Sequence, residues 1–489
     1  MSIDYPIPKE VSCVTNTLRK GGFEAYLVGG CVRDILQNIK PKDWDITTNA
    51  KPKEIQTLFR ETFCENNYGT VGIISETDDS TIKVIEVTPY RTEETYTDKR
   101  RPDSVLFHGK LEDDLKRRDF TINAIAYDES KGQLIDIYSG IKDIKNKTLR
   151  TVGSPTERFN EDALRLIRAI RFSTDLGFTI ETETQNAIIK KSTNLKYISL
   201  ERIRDEFTKI IMTKNPMVGI IMFQKFGLLK YILPEIEHGI NIQQNGDHIY
   251  SVWEHNLRAL QHSADRDWPL HVRLSALLHD VSKPETRRWS NKKNNWTFYG
   301  HDVIGGRVSQ EILRRLKYPQ KIIEVVSLLV RHHLFFSDIE KITLSAVRRI
   351  IKNVGPENVW DLMKVRACDR IGMGRPKEEP YRLRKYESMI EEAIRDPVSV
   401  GMLKIDGLKI MEITYEKPGP KIGLILNALM EEILDNPEKN NEIFLIKRSQ
   451  ELIQIPLNKL KKLGEDGIKK KDELEEKELL EIRKRYRVK

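Results

Sequence analysis

A double-glycine turn followed by two closely spaced aspartates constrains this chain more than any other feature. Gly29-Gly30 ends one predicted strand and begins a short helix, and Asp43-Trp44-Asp45 lies on the next predicted strand. Glycines at such a turn let the backbone approach a phosphate, and the helix N-terminus favours negative charge. Residues two apart on a strand share a face, so the carboxylates require a cation such as Mg²⁺ between them. Together the two halves predict nucleotidyl transfer, whereas either half alone would suit an ordinary turn or two surface aspartates.

Length and composition bound the remaining possibilities. The 489 residues are enough for about three domains. The four cysteines show no paired spacing, so neither a disulfide framework nor a zinc ribbon is expected. The chain shows no secretory signal and no apolar run of membrane length, which predicts a cytoplasmic protein without membrane contact. A net charge of +9 suits a polyanionic partner.

Strand-like and helix-like segments alternate up to about residue 150, and most of the remaining chain is predicted to be helical, which indicates an α+β fold. Nine of the ten histidines lie between His238 and His333, and this density marks a separate module. The charged segment from Pro456 is predicted to be an exposed helix or a partly disordered tail. The predicted strands are Ala25–Gly30, Asp43–Thr48, Thr70–Ser75, Lys83–Tyr90 and Gln133–Tyr138, and the predicted helices include Pro52–Phe59, Leu111–Ala126 and Glu161–Phe172.

One acidic residue and one charged segment of the first module are candidates for a substrate site. Glu86 is a candidate third carboxylate beside the aspartate pair, although a charged residue on a strand commonly faces solvent. The charge-rich segment Arg91–Asp103 predicts a loop that closes over a bound substrate, and a plain solvated loop is the alternative.

Two polar pairs on predicted helices carry groups that recognise a nucleotide. Asp119 and Asn123 are one helical turn apart and would bind a hydroxyl beside Arg118, whose guanidinium suits a triphosphate. Asp162 and Arg165 are three residues apart on one face. An Asp acceptor and a planar Arg donor can read the Watson–Crick edge of a base without a nucleic-acid template. A salt-bridged surface helix is the alternative explanation for each pair.

In this order the motifs resemble the class II tRNA nucleotidyltransferases and bacterial poly(A) polymerases over roughly residues 20–240. The matching segments are Gly-Gly-Cys-Val-Arg-Asp at 29–34, Asp-x-Asp at 43–45, Arg-Thr-Glu at 91–93, Arg-Arg-Asp-Phe-Thr-x-Asn-Ala at 117–124 and Glu-Asp-Ala-Leu-Arg at 161–165. Gln37-Asn38 departs from the Leu-Gly that the family usually has there, and we expect this to alter a turn without altering the chemistry.

This resemblance implies a small polymerase-β-like head in which catalytic Asp43 and Asp45 bind two Mg²⁺. It implies a helical, RNA-binding neck after the head. The nucleotide-binding residues that it implies are Gly29, Gly30 and Arg33 for the triphosphate, Arg118, Asp119 and Asn123 for sugar and phosphates, and Asp162 and Arg165 for the base, with Arg168 as a further contact.

The histidine-rich module contains a candidate metal site. His279 and Asp280 end an apolar predicted helix, and both can ligate a divalent metal. Further candidate ligands are His255, His301, His332 or His333, and Asp369. Their order resembles the HD phosphohydrolase superfamily, whose members use bound metal to hydrolyse phosphate esters. The resemblance implies a site for Mg²⁺, Mn²⁺, Ni²⁺ or a similar ion at His255, His279, Asp280, His301, His333 and Asp369, and we expect His262 and His271 to be structural.

Long bacterial relatives of tRNA nucleotidyltransferases carry an HD domain after the neck, and the segments 405–407 and 417–423 extend the resemblance to about residue 450. The implied domains are a nucleotidyltransferase head at 1–150, a nucleotide-selecting and RNA-binding neck at 151–240, an HD domain at 241–375 and a helical tail with a basic end at 376–489.

The implied activity is template-independent addition of CCA to the 3′ end of tRNA from CTP and ATP, with a metal-dependent phosphohydrolase activity in the HD domain. Poly(A) addition, CC-only addition and A-only addition remain open alternatives. A hypothesis of another class makes the HD domain the enzyme and the head a non-catalytic RNA-binding domain. A third hypothesis is an RNA-binding protein without Mg²⁺-dependent turnover.

Overall fold

The computed structural model describes residues 5–64, 69–93, 105–107, 109–245, 248–334, 343–395 and 400–488. Most of the predicted substrate-closing loop, residues 94–103, lies outside these ranges. The chain divides into two compact units, residues 1–333 with 364–376 and residues 334–363 with 377–489, and each has its own hydrophobic core. The domain boundaries at residues 150, 240 and 375 remain predictions. No helix in the described ranges combines the length and apolarity that a membrane span requires.

The first unit begins with a seven-stranded mixed sheet, which confirms the predicted α+β class. Its strands lie in the order β3-β4-β5-β2-β1-β8-β9, in which β2 and β5 are parallel and the other neighbours are antiparallel. A separate pair is formed by β6 and β7. The strands are β1 (Tyr26–Val28), β2 (Asp45–Thr48), β3 (Thr62–Cys64), β4 (Val71–Ile74), β5 (Val84–Pro89), β6 (Thr92–Glu93), β7 (Val105–Leu106), β8 (Ala126–Asp128) and β9 (Gln133–Ile135), and the helices are α1 (Lys9–Lys20), α2 (Gly30–Leu36), α3 (Pro52–Leu58), α4 (Leu111–Lys116) and α5 (Gly140–Lys145).

The turn between β1 and α2 has the conformation that its glycine allows. Gly29 has φ +82°, which side chains with a Cβ rarely adopt, and the chain enters α2 directly after it. Asn38 follows that helix with φ +57°, a left-handed conformation that asparagine and glycine commonly adopt after a helix.

Three predicted elements that carry candidate site residues differ from the structure. The prediction that Asp43 lies on a strand with Asp45 is wrong, because β2 begins at Asp45 and Asp43 lies in the preceding bend. The single helix predicted over Leu111–Ala126 is also wrong, because α4 ends at Lys116 and a short 3₁₀ turn precedes β8. Phe120 interrupts it with extended dihedral angles and pairs with Thr151 in an isolated bridge.

The third difference is a break inside the predicted helix Glu161–Phe172. One helix ends at Glu161, Asp162 is extended at φ −137° and ψ 108°, and the next helix begins at Leu164. The Asp162 carboxylate accepts a hydrogen bond from the Leu164 N–H, so it satisfies one of the amides that a new helix leaves unpaired. The apolar stripe formed by Leu164, Ile167 and Ile170 is buried, as predicted.

The rest of the first unit is mainly helical, and its helices pack in successive pairs, α7 on α9, α13 on α14 and α16 on α17. Its elements are β10 (Thr148–Leu149), α6 (Pro155–Glu161), α7 (Leu164–Leu176), β11 (Thr179–Ile180), α8 (Thr182–Lys191), α9 (Leu200–Ile211), α10 (Pro216–Lys225), α11 (Leu229–Ile232), α12 (Pro234–Glu237), α13 (Val252–Asp265), α14 (Leu270–Leu278), α15 (Lys283–Thr286), β12 (Arg288–Ser290), β13 (Asn295–Thr297), α16 (His301–Arg315) and α17 (Gln320–His332).

The second unit is helical, and its last helix packs along an earlier one. A Cβ on Gly467 would lie 2.2 Å from the Asn427 carbonyl oxygen, so glycine permits the close packing of α24 on α22. The C-terminal segment, predicted to be exposed or partly disordered, is therefore a helix with one side packed. The helices are α18 (Leu344–Val354), α19 (Val359–Gly372, assigned to the first unit from Lys364), α20 (Tyr381–Ile394), α21 (Gly407–Thr414), α22 (Pro420–Asp435), α23 (Glu442–Leu452) and α24 (Leu457–Arg485).

Glu387 on α20 gives the second unit a pH-dependent stability. Burial, with the carboxylates of Glu379 and Glu378, raises the pKa of Glu387 to about 7. A carboxyl group with a raised pKa stabilises the fold at low pH, and this contribution is lost as the pH rises through about 7. We expect Glu387→Gln to raise the unfolding free energy at pH 8.5 by roughly 1–2 kcal/mol, after allowance for partial solvent exposure, and to change it little at pH 5.

Thermal unfolding of the full chain at several pH values measures this effect, with the exposed Glu476→Gln as the matched control. An equal shift of the melting temperature at pH 5 and pH 8.5 would contradict the role of ionisation.

Candidate functional site

The parallel strands β2 and β5 border a cavity of about 360 Å³. Asp45 and Glu86 line it and lie directly opposite each other in the register of the two strands. Neighbouring strands are about 4.8 Å apart, and like charges directly opposite destabilise a sheet. A cation between the two carboxylates would remove this cost, so the pair fits a metal ion.

The glycine turn lies against this carboxylate pair. A Cβ on Gly29 would be 3.2 Å from Asp45 Oδ2 and 3.0 Å from Arg118 Nη1. A Cβ on Gly30 would be 3.8 Å from Asp43 Oδ1, so the bend places Asp43 at the same turn even though it precedes the strand. The two glycines therefore leave space beside groups suited to metal and phosphate.

Six arginines line the cavity, and a buried carboxylate holds two of them. Asp114 accepts hydrogen bonds from Arg117 Nη2 at 2.5 Å and from Arg118 Nη2 at 3.1 Å. Burial opposes ionisation of Asp114, but the two guanidinium groups outweigh it and lower its pKa. The guanidinium groups of Arg117 and Arg118 are therefore held in place, which suits a polyanionic ligand. They are Arg91, Arg117, Arg118, Arg165, Arg168 and Arg202.

A chain of hydrogen bonds joins four of the predicted nucleotide-binding residues. Arg33 Nη1 donates to Asn123 Oδ1 at 2.9 Å, and Asn123 Nδ2 donates to Asp119 Oδ1 at 3.3 Å. Arg168 Nε donates to Asp119 Oδ2 at 2.7 Å. Burial opposes the charge on Asp119, but Arg168 and Arg165 outweigh it and lower the pKa of Asp119 to about 2. Asp119 and Asn123 therefore meet across a 3₁₀ turn and not on the α-helix that was predicted.

Asp162 and Arg165 both line the cavity, but each is held by other groups. Asp162 Oδ2 accepts a hydrogen bond from Arg202 Nη2 at 2.7 Å. Arg165 Nη1 donates to Glu161 Oε2 at 2.5 Å, and its Nη2 donates to the Arg117 carbonyl oxygen at 2.9 Å. Asp162 lies in the break between α6 and α7 and is not itself helical, but its carbonyl oxygen accepts a hydrogen bond from the Arg165 N–H at 3.1 Å.

The structure thus distributes the predicted head residues in two groups. Those that line the cavity are Asp45, Arg118, Asp119, Asp162, Arg165 and Arg168, and those that lie at the turn or in the hydrogen-bond chain beside it are Gly29, Gly30, Arg33, Asp43 and Asn123. Sequence reasoning missed Arg202, since only the fold of α9 brings it to Asp162. It also missed the buried Asp114, although two arginines follow it within four residues.

A second group of titratable residues lies buried in the helical part of the same unit. It contains the six predicted metal ligands, with His255 on α13, His279 and Asp280 at the end of α14, His301 at the start of α16, His333 after α17, and Asp369 on α19. This histidine cluster forms two sets that share Asp280, and within each set the ligand atoms lie within 4.8 Å of one another.

The two oxygens of Asp280 face different histidines. Asp280 Oδ2 is 3.1 Å from His255 Nε2 and 3.4 Å from His279 Nε2. Asp280 Oδ1 is 3.2 Å from His301 Nε2 and 3.7 Å from His333 Nε2. One carboxylate therefore connects the two sets.

Backbone carbonyls orient three of the histidines. The Nδ1 atoms of His279, His301 and His333 lie 2.8, 2.5 and 2.6 Å from the carbonyl oxygens three residues earlier. An Nδ1–H that donates to such a carbonyl leaves Nε2 as the metal-binding atom. The Nε2 atoms of His255 and His279 are only 2.8 Å apart, so a shared cation would stabilise two lone pairs at this distance. The cluster fits a divalent metal ion.

The carboxylates of the cluster shift the ionisation of its histidines. Burial opposes a positive His279, but Asp280 and Asp369 outweigh burial and raise the pKa of His279 to about 10. The pKa of Asp280 lies well below its ordinary value, because Lys283 and His279 outweigh the effect of burial. The two carboxylates therefore favour positive charge at His279, the kind of charge that a divalent ion carries.

Several residues beside the cluster were not predicted. Lys283 Nζ is 2.6 Å from Asp280 Oδ2, and the His248 ring lies 5.0 Å from the His255 ring. A Cβ on Gly372 would be 2.9 Å from His255 Nδ1, so glycine lets α19 approach α13 with Asp369 one turn earlier. Of the two adjacent histidines considered, His333 lies in the cluster.

Three family models match the chain. "Poly A polymerase head domain" matches residues 25–150, "Probable RNA and SrmB- binding site of polymerase A" matches residues 177–240, and "HD domain" matches residues 246–382. With the mixed sheet and the carboxylate-lined cavity, these matches define the chain as a nucleotidyltransferase that carries an HD domain.

Similarity to known proteins identifies the family within this class. The chain is 32% identical over 447 residues to the CCA-adding enzyme of Ligilactobacillus salivarius, covering 91% of this chain and 97% of that protein. It is 31% identical over 430 residues to the CCA-adding enzyme of Lactobacillus delbrueckii subsp. bulgaricus, covering 88% and 94%. The crystal structure of the Bacillus stearothermophilus CCA-adding enzyme in complex with CTP matches at 25% identity and a TM-score of 0.61, covering 91% and 98%. The chain belongs to the family of CCA-adding enzymes.

Proposed function

We propose that this chain adds CCA to the 3′ end of tRNA from CTP and ATP without a nucleic-acid template. The observation that carries the proposal is one cavity lined both by the opposed carboxylates Asp45 and Glu86 and by the polar pair Asp162 and Arg165. The first pair suits metal-assisted nucleotidyl transfer, and the second suits recognition of a base. Membership of the CCA-adding family supports this activity, and the predicted cytoplasmic setting is part of the proposal.

In this proposal Asp43 and Asp45 hold two Mg²⁺ ions, and Glu86 is the third carboxylate. Bound Mg²⁺ would lower the pKa of the RNA 3′-hydroxyl and offset the charge of the leaving pyrophosphate. The 3′-oxygen forms a bond to the α-phosphorus of the nucleotide, the bond to pyrophosphate breaks, and the hydroxyl proton passes to solvent.

Protein side chains would select the nucleotide. Gly29, Gly30 and Arg33 would bind the triphosphate. Arg118, Asp119 and Asn123 would bind the sugar and phosphates. Contacts within the described part of the chain occupy three of the five guanidinium hydrogens of Arg165, so Nε–H and one Nη2 hydrogen remain for a base. Arg202 would position the Asp162 acceptor next to them.

Incubation with tRNA that lacks its last three nucleotides tests the specificity. We expect CTP alone to add two residues, and CTP with ATP to add CCA and then stop, as measured by gel mobility and sequencing of the 3′ end. Intact tRNA should accept nothing. Long A-tails would instead show a poly(A) polymerase, and a stop after two C residues with both nucleotides present would show a CC-adding enzyme.

We propose metal-dependent hydrolysis of a phosphate ester as a second activity, at the histidine cluster. His255, His279, Asp280 and Asp369 would hold one divalent ion, and Asp280 with His301 and His333 would hold a second. The observation that favours this activity is the orientation of the two Asp280 oxygens towards different ligand sets.

A bound divalent ion would lower the pKa of a water molecule at this site. The water oxygen forms a bond to phosphorus, the ester P–O bond breaks, and the alcohol leaves with a proton from the water. Lys283, whose Nζ lies 2.6 Å from Asp280 Oδ2, would place a positive charge beside the reacting phosphate.

A further inference from the structure

A small β-hairpin leads directly into the histidine cluster. Strands β12 and β13 pair in antiparallel register, and His301 follows β13 after a three-residue connection. The His301 Nδ1 donates to the Phe298 carbonyl oxygen at 2.5 Å, and the Phe298 ring lies 5.7 Å from Lys283 Nζ. The base of the hairpin is therefore part of the structure that orients the cluster.

The hairpin segment combines positive charge with aromatic rings. Residues 287–299 contain four basic and no acidic residues. Trp289 pairs with Trp296 across the strands at 5.3 Å between ring centroids, and the Arg287 guanidinium lies 3.9 Å from the Trp296 ring. Trp289 is 50% exposed and Tyr299 is 72% exposed, with Lys293 beside the Tyr299 ring.

Stability of the hairpin does not account for all these features. A cross-strand aromatic pair stabilises a two-stranded hairpin, which explains why Trp289 faces Trp296. The aromatic pair does not require Trp289 and Tyr299 to be exposed. Nor does it require four basic residues with no acidic residue among them. Aromatic faces among basic side chains are the surface on which unpaired bases stack while the cations bind the phosphates.

We propose that the hairpin segment 287–299 binds an unpaired end of an RNA strand and directs its phosphate ester to the histidine cluster. This inference rests on the phosphohydrolase activity proposed for the cluster, and it names an RNA strand as the substrate. His301 is five positions after Trp296, so their Cα atoms lie at most about 18 Å apart. Trp289 is paired with Trp296, so a base stacked on Trp289 would be a few nucleotides from the cluster. The Nζ of Lys283, 5.7 Å from the Phe298 ring, lies at the base of the hairpin.

Hydrolysis by the full chain, with Mn²⁺ and without CTP or ATP, tests the proposal. The substrates are a single-stranded RNA hexamer with a 3′-phosphate, the 3′-phosphorylated mononucleotide and p-nitrophenyl phosphate. We expect Trp289→Ala to raise KM for the hexamer by about 5- to 100-fold and to leave p-nitrophenyl phosphate turnover within about twofold, since the lost contact is base stacking. Trp289→Phe keeps an aromatic face and should restore most of the affinity.

A second variant tests the charge. Lys292→Glu with Lys293→Glu should weaken hexamer hydrolysis and reduce the dependence of log KM on log salt concentration by about 1, because fewer phosphates are neutralised. An equal effect of Trp289→Ala on the hexamer and the mononucleotide would overturn the assignment to an RNA strand. Unchanged hexamer KM in both variants would overturn the hairpin proposal itself.

Photocrosslinking separates this proposal from the phosphohydrolase proposal. A hexamer carrying 5-iodouracil should crosslink to the peptide that contains Trp289 or Tyr299 in the absence of metal. A crosslink there without hydrolysis of any substrate would reject the phosphohydrolase and keep the hairpin as an RNA-binding surface. Hydrolysis of p-nitrophenyl phosphate with no crosslink in residues 287–299 would reject the hairpin and keep the phosphohydrolase.

Discussion

Replacement of Asp45 by alanine is expected to reduce incorporation of CTP and ATP into tRNA by about 1,000-fold or more. Loss of a catalytic metal ligand removes several kcal/mol of transition-state stabilisation, and each 1.36 kcal/mol is about tenfold in rate. Single-turnover incorporation of labelled CTP measures the effect. Metal-dependent hydrolysis of p-nitrophenyl phosphate by the same variant should stay within about twofold of the unmodified chain.

The control for this prediction is Asp78→Ala, the same change at an exposed aspartate near the sheet. The melting temperature of Asp45→Ala in EDTA shows whether the variant is folded. Near-normal CTP incorporation by Asp45→Ala would place the catalytic metal site elsewhere. A lower melting temperature would attribute lost activity to misfolding.

Replacement of His279 by alanine is expected to have the opposite selectivity. His279 Nε2 lies close to His255 and to both cluster carboxylates, so its loss opens the four-ligand set. We expect the affinity of the chain for a divalent metal to fall by at least about 100-fold. Mass spectrometry after dialysis measures the metal that stays bound. Hydrolysis of p-nitrophenyl phosphate should fall with it, while CCA addition stays within about twofold.

The adjacent His332→Ala provides a matched control, because His332 is outside both ligand sets. Retention of metal by His279→Ala would reject the assignment of the cluster as a metal site. If Asp45→Ala and His279→Ala abolished the same activity, the chain would contain one catalytic site and the two-site proposal would be wrong. No CCA addition by the unmodified chain, with hydrolysis lost in His279→Ala and kept in Asp45→Ala, would support the hypothesis of a non-catalytic head.

In the head, the sequence predicted the features that depend on residues close together in the chain. The glycine turn and the aspartates lie close together in the chain, so a short motif carries them. The predicted boundaries of strands and helices were wrong at residues that lie where one element ends and the next begins. Asp43 lies in a bend before β2, and Asp162 ends one helix while its side chain caps the next, which periodicity does not reveal.

The histidine cluster shows the opposite situation. Its ligands come from five helices or their ends, and no local spacing connects His255 to Asp369. Their order along the chain identified them through a resemblance alone. Lys283 and His248 were not identified, because their place beside the cluster depends on packing.

By itself the sequence determined the α+β class, the glycine turn, the apolar stripe of α7 and the residue types that bind metals and nucleotides. These depend on backbone conformation, periodicity and side-chain chemistry, which act over a few residues. Only the tertiary structure decided that Asp45 faces Glu86, that Arg202 holds Asp162 and that Asp280 joins two ligand sets. Those contacts join residues tens of positions apart, and strand register and helix packing set them.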